Sequence, residues 1–310
     1  MADAIGIVGG GALGTLLASR FLAKTADVPD VRIVSRSGGP RHDALKRDHP
    51  SLQTGSDFGI LRGSSILFLC VKAFHTKDVS RSLAALRLSD SSVCSLQNGW
   101  GNMEILDQAL PDLPLLAGAT SLGAYLDDRG LLHATDRGTT VVAPWRPGDF
   151  PAAERAAESL RGTGLLAEAR HDARAVLWRK LVLNSAVNPV TAIAHCANGA
   201  LAQEPGLFEI ARLAAREATR VGEALGFVDH GFEPEEALRS ILRETAGNIS
   251  SMREDLSRGR RTEIEEITGA IVSIAESAGV PVPIQAALLT LVRTAERRPE
   301  SRPEMKGGGP

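Results

Sequence analysis

The feature that most constrains the fold of this chain is a glycine-rich turn close to its N-terminus. A mostly apolar run of strand length, residues 4–8, leads through this turn into apolar residues at helical spacing. The turn fits G-x-G-x-x-G between a strand and a helix, the context in which this motif binds dinucleotides. Its six residues are Gly9, Gly10, Gly11, Ala12, Leu13 and Gly14.

Each glycine of the motif has a physical reason. Gly9 permits the tight turn, Gly11 lets a pyrophosphate approach the backbone, and Gly14 lets the helix pack closely against the strand. The N-terminus of the helix then offers free N–H groups and a partial positive charge to the phosphates. A glycine turn without a ligand is the alternative, and the position between strand and helix favours the dinucleotide site.

The end of the second predicted strand indicates which dinucleotide binds. This strand, residues 31–34, is followed by Ser35, Arg36 and Ser37. NAD enzymes usually carry Asp or Glu here to bind the ribose 2′-hydroxyl, whereas a basic residue suits a 2′-phosphate. Positions 32–42 hold neither acid. We therefore predict NADP(H) as the cofactor, with Arg36 on the 2′-phosphate; an exposed loop arginine is the alternative.

The first half of the chain alternates between strand and helix patterns, which predicts a parallel sheet covered by helices. Three short strand patterns then predict an antiparallel meander at 120–126, 131–134 and 139–143. From about residue 171 only helix patterns remain. The other predicted strands are 4–8, 31–34, 65–71, 92–96 and 115–118, and the predicted helices are 13–24, 76–86, 102–109, 152–161, 172–195, 206–226, 233–257, 262–278 and 283–297.

This order of elements predicts an α/β N-terminal domain of the Rossmann type and an all-α C-terminal domain. Residues 1–170 are expected to bind the cofactor, and residues 171–298 to carry the substrate and catalytic groups. The tail 299–310 is rich in Pro, Gly and charged residues, so we predict that it is disordered.

Composition argues against several classes of function. The formal net charge is −2 and no apolar run is long enough to span a bilayer, so we expect neither nucleic-acid nor membrane partners. The first strand begins almost at once, so no secretory signal is expected. Three scattered cysteines lack metal-ligand spacing, which favours a reducing cytoplasm and argues against a metal site.

A polar stripe crosses the predicted helix 172–195. Lys180, Asn184 and Asn188 are spaced by four residues, so they lie on one helical face. One cation and two amides within an apolar segment suit a site that delivers a proton and orients a small polar ligand. The alternative is a snorkelling lysine beside two exposed amides.

Two further polar residues follow neighbouring strands of the predicted sheet. Lys72 comes after the strand 65–71, and Asn98 comes after the strand 92–96. Ligands of open α/β sheets bind beyond the carboxyl ends of the strands, so both residues are expected beside the nicotinamide and the substrate. A solvated loop lysine and an ordinary Asn-Gly turn are the alternatives.

Together these motifs resemble the ketopantoate reductase (2-dehydropantoate 2-reductase) family over nearly the whole chain. The resemblance implies a Rossmann domain followed by a helical domain. It also implies that NADPH reduces 2-dehydropantoate, a 2-keto acid, to (R)-pantoate for pantothenate and coenzyme A synthesis. The matching segments are GGGALG at 9–14, VKAF at 71–74, QNGWGN at 97–102, LWRKLVLNSAVNPVTAI at 177–193, CANGAL at 196–201, NISSM at 248–252 and RRTEIEEI at 260–267.

The resemblance implies roles for single residues as well. Lys180 is similar to the family's general acid, and Asn184 and Asn188 are similar to the amides that hold the hydroxyl end of the substrate. The other matches are Ser251 on the substrate carboxylate, Lys72 and Asn98 beside both cofactor and substrate, Glu263 beside the cofactor or the lysine, and Asn198 on the substrate side.

Several alternatives remain open at this point. The enzyme could reduce another 2-keto acid with the same residues, or the chain could be a non-catalytic NADPH-binding regulator, although a regulator needs no proton donor. A glycerol-3-phosphate dehydrogenase shares the two-domain plan, but it needs cations for a phosphate where this chain has asparagines. A monomer or a homodimer is expected.

Overall fold

A computed structural model describes residues 4–23, 29–36, 45–127, 129–134 and 138–297. The chain divides into two compact units, residues 1–180 and residues 181–310. This boundary falls inside a helix, whereas the predicted domain boundary at 170/171 lies just before that helix. The tail predicted to be disordered, 299–310, lies outside the described residues.

The first unit is built on a largely parallel sheet, as predicted. Its described strands are β1 (Ala4–Val8), β2 (Asp30–Val34), β3 (Gln53–Gly55), β4 (Ile66–Leu69), β5 (Ser92–Ser95), β6 (Leu115–Thr120), β7 (Ala124–Leu126), β8 (Leu132–Ala134), β9 (Thr139–Pro144) and β10 (Leu166–Ala169). Eight of these form one sheet in the order β10-β9-β6-β5-β4-β1-β2-β3. Only the pairing of β6 with β9 is antiparallel among the described strands of this sheet. The carboxyl ends of β1, β2, β4 and β5 therefore lie along one edge.

The predicted three-stranded meander is wrong. β7 and β8 form a separate antiparallel hairpin, whereas β9 lies between β6 and β10 in the main sheet. The difference follows from burial, because Val142 and Ala143 of β9 are fully buried and the hairpin strands contain no fully buried residue. The strand β10 and the short edge strand β3 were not predicted.

Helices cover both faces of the sheet. The described helices up to residue 194 that have defined ends are α1 (Ala12–Leu22), α2 (Thr76–Ala84), α3 (Asn102–Ala109), α4 (Phe150–Arg161) and α5 (Ala173–Ala194). Alternate residues of a strand face opposite sides. On β4, Ile66 and Phe68 therefore enter a core with α1 and α4, whereas Leu67 and Leu69 enter a core with α2, α3 and the start of α5.

The described part of the second unit is helical, which confirms the predicted all-α domain. Its helices after α5 are α6 (Asn198–Gln203), α7 (Pro205–Ala224), α8 (Pro234–Glu244), α9 (Ser251–Ser257), α10 (Ala270–Ala278) and α11 (Pro283–Arg297). A single turn of π-helix, Glu265–Gly269 (the π-turn), leads into α10. No helix among the described residues is long and apolar enough to cross a membrane.

The single helix predicted over 233–257 is wrong. It is broken between α8 and α9, where Thr245 ends the first helix and the hydroxyl of Ser250 caps the second by accepting from the N–H of Arg253 at 3.2 Å. Serine competes well for this cap position, so the local chemistry outweighs the helical periodicity on either side. The short helix α6 was not predicted.

Candidate active site

The glycine turn has the backbone conformation that its motif predicts. Gly9 has a φ of 112°, and a β-carbon there would lie 2.8 Å from backbone atoms of Cys70 and Val71. A β-carbon at Gly14 would overlap the carbonyl oxygen of Gly9. Only glycine therefore lets α1 begin this close to β1, which confirms the packing role predicted for Gly14.

The first turn of α1 is open toward a ligand. Gly11 is the N-cap residue, and since glycine has no side chain, no side chain at this position caps the helix. A β-carbon there would meet no atom within 4 Å. The first turn contains no acidic residue, so the partial positive charge of the helix end is not cancelled locally. An open, uncapped helix end fits a dinucleotide pyrophosphate. Cofactor binding by residues 9–14, including Gly10, Ala12 and Leu13, stays a prediction.

Arg36 lies just beyond the end of β2 and is exposed, which fits both a phosphate contact and an ordinary loop arginine. Its role toward a 2′-phosphate stays a prediction. Its guanidinium Nη2 is 2.7 Å from Nε2 of His75. His75 was not predicted as a site residue, although it follows directly on the segment 71–74 that carries part of the family resemblance. The contact joins the ends of β2 and β4 at the edge of the sheet.

Lys72 and Asn98 lie in two loops that buried polar side chains tie together. Lys72 is half-buried and precedes a 3₁₀ turn, Ala73–His75, that leads into α2 at Thr76. The hydroxyl of Thr76, which is fully buried, lies 2.7 Å from Oδ1 of Asn102. The amide nitrogen of Asn102 donates to the carbonyl oxygen of Asn98 at 2.9 Å.

Gln97 completes this network between the two strand ends. Its amide nitrogen donates to the hydroxyl of Thr76 at 2.8 Å and to the carbonyl oxygen of Val71 at 3.2 Å. The hydroxyl of Ser95 donates to its amide oxygen at 3.0 Å. Satisfied buried polar networks hold one conformation because any break leaves a group unpaired. The loops that carry Lys72 and Asn98 are therefore fixed relative to each other.

Trp100 braces the Asn98 loop against the start of α5. Its ring meets the ring of Trp178 edge to face, with centroids 4.9 Å apart, and Trp178 is fully buried. Gly99 and Gly101 have φ values of 85° and 93°, which places Trp100 between two left-handed glycines. Lys180 is half-buried and follows Trp178 by two residues. Aromatic edge-to-face pairs are favourable contacts, so this pair couples the Asn98 loop to the helical turn of Lys180.

The polar stripe of α5 lies on a helix that continues without interruption from Ala173 to Ala194. Lys180 and Asn184 are half-buried, and Asn188 is buried. A snorkelling lysine with two exposed amides does not describe these positions, because both amides are at least partly withdrawn from solvent. Their roles toward a substrate stay predictions.

The residue predicted to meet the substrate carboxylate, Ser251, is exposed at the first position of α9. The preceding Ser250 is buried, and its hydroxyl lies 2.7 Å from the hydroxyl of Thr191 on α5. Thr191 is one turn beyond Asn188. Within the second unit this hydrogen bond therefore fixes the start of α9, with Ser251, beside the part of α5 that carries Asn188.

Asn198 is buried in a structural contact. Its amide nitrogen donates to the hydroxyl of Thr245 at 3.0 Å, and its backbone N–H donates to the carbonyl oxygen of Asn248 at 3.0 Å. A β-carbon at the neighbouring Gly199 would press on Ala246 at 2.9 Å. These contacts hold the turn between α8 and α9, and substrate binding by Asn198 stays a prediction.

Glu263 is buried and lies two residues before the π-turn. The N–H of Thr262 donates to the side chain of Glu296 at 2.7 Å, which ties this segment to α11. Isolated π-turns are frequent at functional sites. Burial raises the pKa of Glu266 above its ordinary value of 4.5, and Arg261 opposes that rise. A cofactor role for Glu263 stays a prediction.

Two of the three cysteines, Cys70 and Cys94, belong to the core of the first unit. Burial raises the pKa of the Cys94 thiol to about 12, and burial together with the neighbouring Cys94 raises the pKa of Cys70 further still. Both therefore remain protonated and act as small apolar residues. Among the described residues no group of three or more His, Cys, Asp or Glu side chains could hold a metal ion.

Comparisons of the sequence with known proteins identify one family. The family model described as Ketopantoate reductase PanE/ApbA matches residues 5–147, and the model of its C-terminal part matches residues 172–296. The 2-dehydropantoate 2-reductase of Archaeoglobus fulgidus is 37% identical over 94% of this chain and 97% of its own. The enzyme of that name from Halobacterium salinarum is 32% identical over 80% of each chain.

Solved structures share the fold. The PanE/ApbA family ketopantoate reductase from Ralstonia eutropha JMP134 is 25% identical, with a TM-score of 0.81 over 95% of this chain and 99% of its own. D-mandelate dehydrogenase, solved with NADH and anilino(oxo)acetate, has a TM-score of 0.83 at 22% identity over 95% of this chain and 99% of its own. The matches to both family models and to relatives along nearly the whole chain show that this protein belongs to the ketopantoate reductase family.

Proposed function

We propose that this protein is an NADPH-dependent 2-dehydropantoate 2-reductase, which reduces the 2-keto acid to (R)-pantoate. The observation that carries the proposal is the match along nearly the whole chain to relatives named 2-dehydropantoate 2-reductase. The contact of Trp100 with Trp178, which connects the Asn98 loop with the helical turn of Lys180, is consistent with it. The open glycine turn and the family membership support the same activity. The product would enter pantothenate and coenzyme A synthesis, and the enzyme would act in the cytoplasm as a monomer or a homodimer.

Lys180 is the proton donor of the proposed reaction. The bound NADPH supplies a hydride from C4 of its nicotinamide to the keto carbon. The ammonium group of Lys180 stabilises the negative charge that develops on the carbonyl oxygen and transfers its proton to that oxygen. A lysine with an ordinary pKa of about 10.4 is protonated at neutral pH. The amine then regains a proton from water.

The substrate is an anion with a hydroxyl at its other end, and both ends need partners. Asn184 and Asn188 can each donate and accept a hydrogen bond, so they suit the hydroxyl. Ser251 at the start of α9 suits the carboxylate, because its exposed hydroxyl can donate a hydrogen bond to an anion. Lys72 and Asn98 complete the proposed substrate contacts.

The proposed cofactor contacts in the first unit lie along the edge of the sheet where β1, β2, β4 and β5 end. Residues 9–14 would receive the pyrophosphate at the open first turn of α1, and Arg36 would bind the 2′-phosphate that distinguishes NADPH from NADH. Lys72 and Asn98 would lie beside the nicotinamide half. Glu263 in the second unit would orient the cofactor or Lys180.

The test is NADPH consumption with 2-dehydropantoate and a panel of other 2-keto acids, for the wild type and for Lys180→Ala. We expect 2-dehydropantoate to give the highest kcat/KM. We expect Lys180→Ala to lower kcat by a factor on the order of 10²–10⁴, the usual contribution of a general acid. The dissociation constant of NADPH should change little.

The neighbouring Arg179→Ala is the matched control, because Arg179 is exposed on the same helical turn and should leave kcat near wild type. A preference for another keto acid would replace the proposed substrate while keeping the mechanism. Near-normal turnover by Lys180→Ala would remove this lysine from the role of acid.

A further inference from the structure

The direction of the hydrogen bond between Arg36 and His75 follows from the chemistry of the two groups. A guanidinium carries only donors and stays protonated in proteins. At 2.7 Å, Nη2 of Arg36 must therefore donate to a lone pair on Nε2 of His75. The imidazole is then neutral, with its proton on Nδ1. His75 takes up one of the five N–H groups of the guanidinium.

His75 is well placed to hold Arg36 still. The backbone N–H of His75 donates to the carbonyl oxygen of Lys72 at 2.9 Å, which closes the 3₁₀ turn. The next residue, Thr76, is buried in the network that joins the two strand ends. The ring of His75 meets the ring of Phe74 edge to face, with centroids 4.6 Å apart. The acceptor that Arg36 meets is therefore part of a rigid element.

Without this acceptor, Arg36 would be a long exposed side chain at a strand end. Such a side chain loses rotamer freedom when it binds an anion, and that loss weakens binding. A neighbouring acceptor that already restricts the guanidinium removes part of the loss before the ligand arrives.

We propose that His75 is a positioning residue for recognition of the 2′-phosphate: it orients the guanidinium of Arg36 and so sets how strongly the protein prefers NADPH to NADH. This inference rests on the proposed contact of Arg36 with the 2′-phosphate. It concerns only the adenosine end of the cofactor, so it can be tested without any turnover of a keto acid.

The experiment measures dissociation constants of adenosine 2′,5′-bisphosphate and of ADP by calorimetry. Both ligands lack the nicotinamide, and only the first carries the 2′-phosphate. His75→Ala should weaken binding of the bisphosphate about threefold to tenfold, as expected when one long side chain must be newly ordered. Binding of ADP should stay unchanged.

Three variants give the controls. His75→Gln keeps an acceptor and should stay within about twofold of the wild type, because a side-chain carbonyl can replace the imidazole nitrogen. Arg81→Ala removes an exposed arginine on α2, whose guanidinium lies 3.4 Å from the carboxylate of Asp78, and should leave both ligands unaffected. Arg36→Ala should weaken the bisphosphate strongly, and adding His75→Ala to it should have no further effect.

The outcomes separate the two proposals. If Arg36→Ala lowers affinity for the bisphosphate and His75→Ala does not, Arg36 keeps its role and the positioning role of His75 is wrong. Additive effects in the double variant would also overturn it, because His75 would then act on the ligand independently. If neither substitution distinguishes the bisphosphate from ADP, the assignment of Arg36 itself fails.

Discussion

At the scale of single residues, the glycine motif contains two glycines with different physical roles. Gly14 is required by the protein, since a β-carbon would overlap the carbonyl oxygen of Gly9. Gly11 is not, because a β-carbon there would meet nothing within 4 Å and its φ of −74° suits any residue. The open space at Gly11 leaves room for the pyrophosphate that the motif predicts there.

We predict opposite consequences for alanine at these two glycines. Gly11→Ala should keep the stability of the wild type and weaken NADPH binding about tenfold to a hundredfold, since an extra methyl in a tight contact costs about 1–3 kcal/mol. Gly14→Ala should lower the free energy of unfolding by about 3 kcal/mol or more, because a backbone atom must move. Urea unfolding and NADPH titration measure the two effects.

Gly206→Ala is the control for this pair, because a β-carbon at Gly206, in the first turn of α7, also meets nothing within 4 Å. It should change neither quantity appreciably. Tight NADPH binding by a stable Gly11→Ala variant would show that the pyrophosphate does not approach this glycine.

Residue patterns predicted candidate site residues but not the contacts that position them. The motif at 9–14, the strand-end residues Lys72 and Asn98 and the stripe of α5 all follow from spacing. His75 and Trp178 carry no such signal, since a histidine after a strand and a tryptophan in an apolar helix are ordinary. Only the three-dimensional structure shows that His75 meets Arg36 and that Trp178 meets Trp100.

At the scale of elements, the site depends on how two loops are joined. The loops after β4 and β5 belong to strands that pair in register, with Leu69 opposite Ser95. Beyond this last pair the two segments are no longer paired as strands. Hydrogen bonds of the side chains of Thr76, Gln97 and Asn102 connect them instead.

We predict that Thr76→Val loosens this connection. Valine keeps the shape of threonine but removes the hydroxyl, so the amide groups of Gln97 and Asn102 lose a buried partner. The free energy of unfolding should fall by about 1–3 kcal/mol, the usual cost of leaving buried polar groups unsatisfied. The KM values for NADPH and the keto acid should rise, because the Lys72 and Asn98 loops lose their fixed relation.

Thr76→Ser keeps the hydroxyl and lacks only the methyl group of threonine. If the hydrogen bonds are the cause, its KM values should therefore lie close to those of the wild type. If Thr76→Ser behaves like Thr76→Val, packing of the methyl group, and not the network, holds the loops.

Element boundaries were predicted where apolar periodicity is strong and missed where single polar contacts or partners distant in sequence decide. Helices α5 and α11 begin and end within a residue of their predicted bounds. The break between α8 and α9 depends on the Ser250 cap and its contact with Thr191, which is 59 residues away in sequence. The addition of β9 and β10 to the sheet likewise depends on partners distant in sequence.

At the scale of the whole molecule, pH should act on stability through carboxylates whose pKa differs between the folded and unfolded chain. Glu265 is the clearest case in the described helical unit. Arg293 contacts both of its oxygens at 2.6 Å and holds the pKa of Glu265 below its ordinary value of 4.5. The pair joins the π-turn, two residues after Glu263, to α11.

We predict that Glu265→Gln destabilises the protein at neutral pH and not in acid. A carboxylate with a lowered folded-state pKa contributes stability that is fully present above about pH 4.5 and is lost as the pH falls through the lowered value. The pair is partly exposed, so the difference at pH 7 should be about 0.2–1 kcal/mol.

Urea unfolding at pH 7, pH 5 and pH 3.5 should show this difference in the free energy of unfolding shrinking toward zero. The control is Glu158→Gln, at a carboxylate 4.0 Å from Arg161, which should show no difference from the wild type at any of these pH values. A difference for Glu265→Gln that stayed constant down to pH 3.5 would mean that packing of the side chain, and not its charge, joins the π-turn to α11.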